Sequence, residues 1–88
     1  MTKEFVLRRL DVAIEKNNTA EDNYDMLDTL LTNQREELHR QVYYGWDIDD
    51  QHRKIQVTAK LHAAALKEVI ATCRLVANCL TALEQFTV

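Results

Sequence analysis

Residues 48–83 read IDDQHRKIQVTAKLHAAALKEVIATCRLVANCLTAL, and the fold follows from how this stretch is patterned. Ile48, His52, Ile55, Ala59, His62, Leu66, Val69, Cys73, Val76, Leu80 and Leu83 recur in unbroken steps of four and three residues. An α-helix turns about 100° per residue, so these steps hold side chains on one stripe, the spacing of a coiled-coil seam. The spacing predicts a single helix over 48–86, about 58 Å long at 1.5 Å per residue. The stretch is apolar on more than one side. Lys60, Lys67, Arg74, Asn78, Thr81 and Gln85 project into a narrow polar stripe, and Leu61, Ala64, Leu75, Cys79, Ala82 and Phe86 form a second face between that stripe and the seam. One partner helix cannot cover both seam and second face, so these six residues are the expected oligomer interface, with a second copy as the expected partner.

Upstream, Gly45 is the only glycine, it stands near the midpoint, and the chain has no proline. A glycine after a helical run supplies the left-handed residue that closes a helix, so the chain is expected to reverse over 45–47. Asp47, Asp49 or Asp50 can then cap the next helix. Before the turn, Ala20, Tyr24, Leu27, Leu31, Gln34 and Leu38 show the same four-three spacing and end in Val42, which predicts a helix over 20–44. Thr2 is the expected N-cap of a first helix over 3–16, whose apolar face is Val6, Leu7, Leu10, Ala13 and Ile14. Between these two lies Asn17-Asn18-Thr19-Ala20-Glu21-Asp22. Its poor helix formers, with Thr19 and Asp22 at capping-box spacing, predict a kink or short turn. The expected fold is therefore all-α, one helical domain spanning 1–88. It is an antiparallel hairpin of a short N-terminal helix, a second helix and one long C-terminal helix, assembling into an oligomeric bundle.

Composition agrees and excludes much else. The 88 residues are 47% apolar, too apolar for a disordered chain, and two cysteines cannot staple a small secreted scaffold. The longest uncharged run, Leu75 to Leu83, falls short of the roughly 20 residues a membrane span needs. The acid Glu4 and the early charges Arg8, Arg9 and Asp11 leave no room for a signal-peptide core, so a cytoplasmic protein without a membrane partner is expected. Net charge is −3, yet residues 1–50 carry 12 acids against 6 bases and residues 51–88 carry 2 acids against 5 bases. Opposite halves favour packing of one on the other, within a chain or between chains. The acidic run Glu21, Asp22, Asp25, Asp28 repels phosphate, so nucleic acid is not an expected partner.

Candidate chemistry is sparse. With no serine and one glycine, a P-loop, a dinucleotide fingerprint and a glycine-built oxyanion hole are all absent, and no enzymatic activity and no cofactor are expected. Glu36-x-x-His39 and Asp49-x-x-His52 have the spacing of bundle metal ligands, but the first pair projects away from the buried side defined by Leu31 and Leu38, toward solvent. His52 and His62 fall on the seam, where one hydrogen-bond partner satisfies a neutral imidazole. Cys73 and Cys79 differ by about 120° around the helix and cannot form a local disulfide; both are expected as buried thiols.

The remaining cluster is Tyr43-Tyr44-Gly45-Trp46-Asp47, three aromatics at the one reversal. Trp and Tyr bury large area at low entropic cost, so Tyr43, Tyr44, Trp46 and Asp47 are the candidate partner-binding residues; the alternative is that Trp46 and one tyrosine fold back to plug the bundle end. A helical hairpin of this size with Trp and Gly at its turn resembles, in topology, the small secreted WXG-type proteins. Their turn reads Trp-x-Gly where this one reads Gly45-Trp46, and Leu83-Glu84-Gln85-Phe86-Thr87-Val88 lacks their Tyr-x-x-x-Asp/Glu signal, so no membership follows. The function expected from these residues is a non-enzymatic interaction protein: a regulator, inhibitor or assembly adaptor docking on another protein. Phage and mobile-element accessory proteins are often of this type. Two alternatives are a ligand-sequestering oligomer, with intersubunit pockets drawn from Tyr24, Tyr43, Tyr44, Trp46, Arg40 and Arg53, and a metal-binding bundle.

Overall fold

Thr2 starts the first helix as its pattern predicts: its backbone is extended, and its Oγ1 accepts a hydrogen bond from the Phe5 N–H at 3.2 Å. The computed structural model describes residues 2–86, so Met1, Thr87 and Val88 of the expected 1–88 domain lie outside the described residues. Two helices follow, α1 (Lys3–Tyr43) and α2 (Asp49–Glu84), packed antiparallel into a rod of 66 × 15 × 14 Å. The all-α hairpin is present, built from two helices where three were expected.

The break expected between 16 and 20 is absent, and α1 runs through it. Intrinsic propensity opposes this: Asn and Thr cost roughly 0.5 kcal/mol each relative to Ala. Tertiary contacts override that preference. Val6, Leu10, Ala13, Asn17, Ala20, Tyr24, Leu27, Leu31, Gln34 and Leu38 keep an uninterrupted four-three alternation, all buried or half-buried, so a break would misalign every later layer. Asn17 crosses the seam, its Nδ2 donating to Thr72 Oγ1 at 2.9 Å and lying 3.1 Å from Cys73 Sγ. Thr72 Oγ1 in turn donates to the Glu68 carbonyl at 2.9 Å. Thr19 caps nothing; its hydroxyl bonds back to the Glu15 carbonyl at 3.1 Å, as a threonine inside a helix does.

The hairpin turn is a full Schellman closure. Gly45 takes φ +70°, the Gly45 N–H bonds to the Val42 carbonyl at 3.1 Å, and the Trp46 N–H reaches back to the Gln41 carbonyl at 2.9 Å. Of the three candidate capping acids, Asp47 accepts from the Asp49 N–H at 3.1 Å, which opens α2. The helix begins at Asp49 and ends at Glu84, one residue later and two earlier than its pattern predicts.

The α2 seam is also corrected. Ile48, Ile55, His62, Val69, Val76 and Leu83 are half-buried as expected, but the alternating layer is Gln51, Thr58, Ala65, Thr72 and Cys79 rather than His52, Ala59, Leu66, Cys73 and Leu80. Thr72 is 2% exposed and Ala65 4%, whereas Leu66 is 42% and Leu80 50%. The smaller set wins because it faces the larger seam residues of α1: Thr58 is level with Leu31, Ala65 with Tyr24 and Thr72 with Asn17, while Ala13 and Ala20 on α1 are level with Val76 and Val69 on α2, so small side chains leave room for large ones. Polar members then bond across, Gln51 Nε2 donating to the Gln34 carbonyl at 2.9 Å. Cys73 is exposed and Cys79 half-buried, so neither thiol is sealed in a core.

If Asn17 is a cross-seam bond inside a continuous helix, Asn17→Ala should lower stability by about 1 kcal/mol in urea unfolding, despite alanine's higher helix propensity. A kink at this position would give the opposite sign.

Candidate interaction surfaces

A two-helix rod has one internal seam and therefore two flanks facing outward. The register is set by Asn17 beside Thr72 and Asp28 beside His62: residues at equal height on the two helices have numbers totalling 89 to 90. Continuing the seven-residue spacing assigns each exposed apolar residue to a flank.

One flank carries Val57, Leu61, Ala64 and Leu75 of α2 alongside Phe5, Val12, Met26 and Leu30 of α1, all exposed. Leu61 is 53% exposed. Four of the six expected interface residues, Leu61, Ala64, Leu75 and Ala82, belong here; Cys79 is instead a seam residue packed toward α1 that reaches this flank only at its edge. Leu75, Cys79 and Ala82 line a groove with Val6 and Arg9 near the open end of the rod, and Leu61 and Ala64 continue along the same flank. Phe86 lies just beyond the helix end, its N–H bonded to the Leu83 carbonyl at 3.0 Å. The α1 half of this surface escapes a reading that pairs each helix face only with its own seam. Its signal is present nonetheless: Phe5, Val12 and Met26 are spaced by multiples of seven. Arg9 and Lys16 of α1 and Glu68 of α2 border the grooves of this flank, and the guanidinium of Arg9 sits 5.9 Å over the Phe5 ring, so that this charge rests on an aromatic face.

The opposite flank holds the displaced seam residues. Leu66, Cys73 and Leu80 combine with Ala63, Ile70 and Ala77 in a strip of α2 free of charge, with Leu7 and Ile14 of α1 at the same end of the rod. Toward the turn this flank becomes acidic, with Glu21, Asp25 and Asp28 exposed on α1. At the boundary, His62 Nε2 lies 3.0 Å from Asp28 Oδ1 and its ring packs 4.6 Å from Tyr24. His62 is thus a boundary histidine with two neighbours, and His52 is exposed.

At the tip, Tyr44 and Trp46 stack at 5.3 Å with ring planes 25° apart, and Tyr43 meets Tyr44 edge-on at 5.1 Å. Tyr43 is 83% exposed and Trp46 57%, with Asp47 exposed beside them. Trp46 does not fold over the rod end in the single chain, because the Schellman bonds direct the chain outward at this residue. The remaining candidates disperse. Tyr24 lies about 30 Å from the tip along α1, so it shares no pocket with Tyr43, Tyr44 and Trp46 in one chain. Arg40 pairs with Glu37 at 3.1 Å, and Arg53 lies 4.0 Å from Asp50. Glu36, His39, Asp49 and His52 are all exposed, and among the described residues no three His, Cys, Asp or Glu side chains gather as a metal site. No helix among the described residues is long and apolar enough to cross a membrane.

Comparison with protein-family models, with curated proteins and with solved structures finds no match to this chain.

Proposed function

We propose that this chain is a non-enzymatic interaction protein of the cytoplasm that self-associates through the Leu61 flank and offers its aromatic tip to another protein, as a regulator, inhibitor or assembly adaptor. The observation that carries the reading is surface area. The chain exposes 6828 Å², whereas the size scaling of folded monomers gives about 5,350 Å² for 10.3 kDa. The surplus, on the order of 1,500 Å² for one chain, is ample for association, since a standard interface takes about 800 Å² from each partner. Much of the exposed area is large apolar side chain on both helices, more than an isolated domain leaves in water.

Catalytic readings gain no support from the arrangement, because the titratable side chains are spread along solvent-facing ridges instead of converging in a pocket. The tip supports partner recognition through composition and posture: three aromatics at a rigid turn, one stacked pair, and acids at Asp47, Asp49 and Asp50 around them.

Light scattering over a dilution series should return a dimer or larger species, and Leu75→Glu should convert it to monomer or to aggregate. A parent that is monomeric throughout, or an oligomer indifferent to Leu75→Glu, would remove the Leu61 flank as the interface. Trp46→Ala should leave thermal stability within about 1 kcal/mol of the parent, because the indole covers no core. A loss of several kcal/mol would instead assign Trp46 to plugging the assembled bundle.

A further inference from the structure

The outward ridges of the two helices carry opposite charge and cannot meet within one chain. On α2, Arg53, Lys60, Lys67 and Arg74 recur every seven residues, directly opposite the seam; on α1 the equivalent ridge holds Glu15, Asp22 and Glu36, with Arg8 and Thr29 in the same series. Each ridge points away from the other helix, and among the described residues no ion pair joins them. The register places Glu15 level with Arg74, Asp22 with Lys67 and Glu36 with Arg53. Complementary charges matched in height yet held on opposite edges are suited to a second copy.

We infer that the occupant of the Leu61 flank is a second copy of this chain related by a two-fold axis along the rod, so that both aromatic tips lie at the same end. This rests on the self-association proposed above and specifies its geometry. Rotation about the long axis preserves height. Each α1 then lies on the partner's α2 with the register of the intrachain pair, and every neighbouring pair of helices is antiparallel, as in an up-down four-helix bundle. Within about one residue of equal height, Leu30 meets Leu61 of the partner subunit, Met26 meets the partner's Ala64, and Glu37 lies by the partner's Lys54. Glu15 and Asp22 border the partner's Arg74 and the partner's Lys67 along the rim. The alternative two-fold, perpendicular to the rod, inverts height: centred near Glu68 and Asp22, it sets each of these against its own copy and Lys60, Lys67 and Arg74 against the partner's basic ridge, with only Arg8 opposite the partner's Glu36 in compensation. Like charges facing across an interface penalise that arrangement and select the first. A face 66 Å long and about 15 Å wide offers on the order of 1,000 Å² per copy, above the about 800 Å² of a standard interface. The functional consequence is a doubled platform, two Tyr43, Tyr44, Trp46 clusters side by side, which binds a two-fold or repeated partner surface by avidity.

Two measurements test the arrangement. In a Cys73→Ser, Cys79→Ser background, a spin label on Asp47→Cys should give an intradimer distance below about 35 Å, because four packed helices hold both tips within a bundle's width. A distance near the 66 Å rod length would overturn it while leaving self-association intact. Light scattering on the same sample separates the two failures, since a monomer refutes the underlying reading itself. Independently, Lys67→Glu with Arg74→Glu should raise the dimer dissociation constant about tenfold, and adding Glu15→Lys with Asp22→Lys should restore it to within about threefold. Unchanged or tighter association of the first variant, or no rescue by the second pair, would exclude the tips-together dimer. Circular dichroism of each variant checks that it remains helical.

Discussion

The architecture depends on one seam between two helices, in which small side chains of one are level with larger side chains of the other. Thr58, Ala65 and Thr72 are level with Leu31, Tyr24 and Asn17, and Ala13 and Ala20 with Val76 and Val69; among the described residues no large side chain is fully enclosed. Two cylinders in contact share a single line of burial. Everything apolar that does not fit on that line stays at the surface, and here it includes Leu61, Leu66, Ile70, Leu75 and Leu80. A thin core and large exposed flanks are one constraint seen from inside and outside. The thin core limits what a lone hairpin gains from burial, and the flanks hold the area whose removal from water would supplement it.

Polar groups on the seam act mainly on specificity. Asn17 with Thr72 and Gln51 with Gln34 each tie a chosen height of α1 to a chosen height of α2. Sliding the helices by one heptad would retain most apolar contacts and orphan these bonds, and unpaired amides in a low-dielectric seam cost more than the bonds gain. Register fixed in this way also fixes which charges share a height, and so it carries the electrostatic pattern from the linear chain to the outer ridges. Glu15 and Arg74 are 59 positions apart in sequence and level in the rod because Asn17 finds Thr72.

The turn displays its aromatics for a related reason. Closure is done by backbone groups alone, through Gly45 at φ +70° and the two Schellman bonds, so the rings of Tyr43, Tyr44 and Trp46 have no part in closing it. Their rings pack on one another and remain open to a partner. A glycine suits this position on conformational grounds: a Cβ there would meet no neighbouring atom, so the strain of a substitution would come from φ and not from crowding.

Local rules made several features legible in the linear chain. Four-three periodicity marks both long helices, the lone Gly45 marks the reversal, Thr2 marks the start of α1, and the Ala20-to-Leu38 stripe is the seam that α1 uses. These depend only on helix geometry and residue chemistry within a few turns. Tertiary structure alone decided the rest. Two stripes of α2 share Ile55, His62, Val69 and Val76 and differ by one residue in the alternate layer, so periodicity fits both; hydrophobicity favours Leu66 and Leu80, while the room needed opposite Leu31, Tyr24 and Asn17 favours Thr58, Ala65 and Thr72. Likewise the Asn17-to-Asp22 stretch reads as a break by propensity and is helical because its heptad neighbours on both sides are held by α2. Which face of a helix is buried, and whether a weak segment stays helical, are properties of the partner it packs against, and that partner lies tens of residues away along the chain.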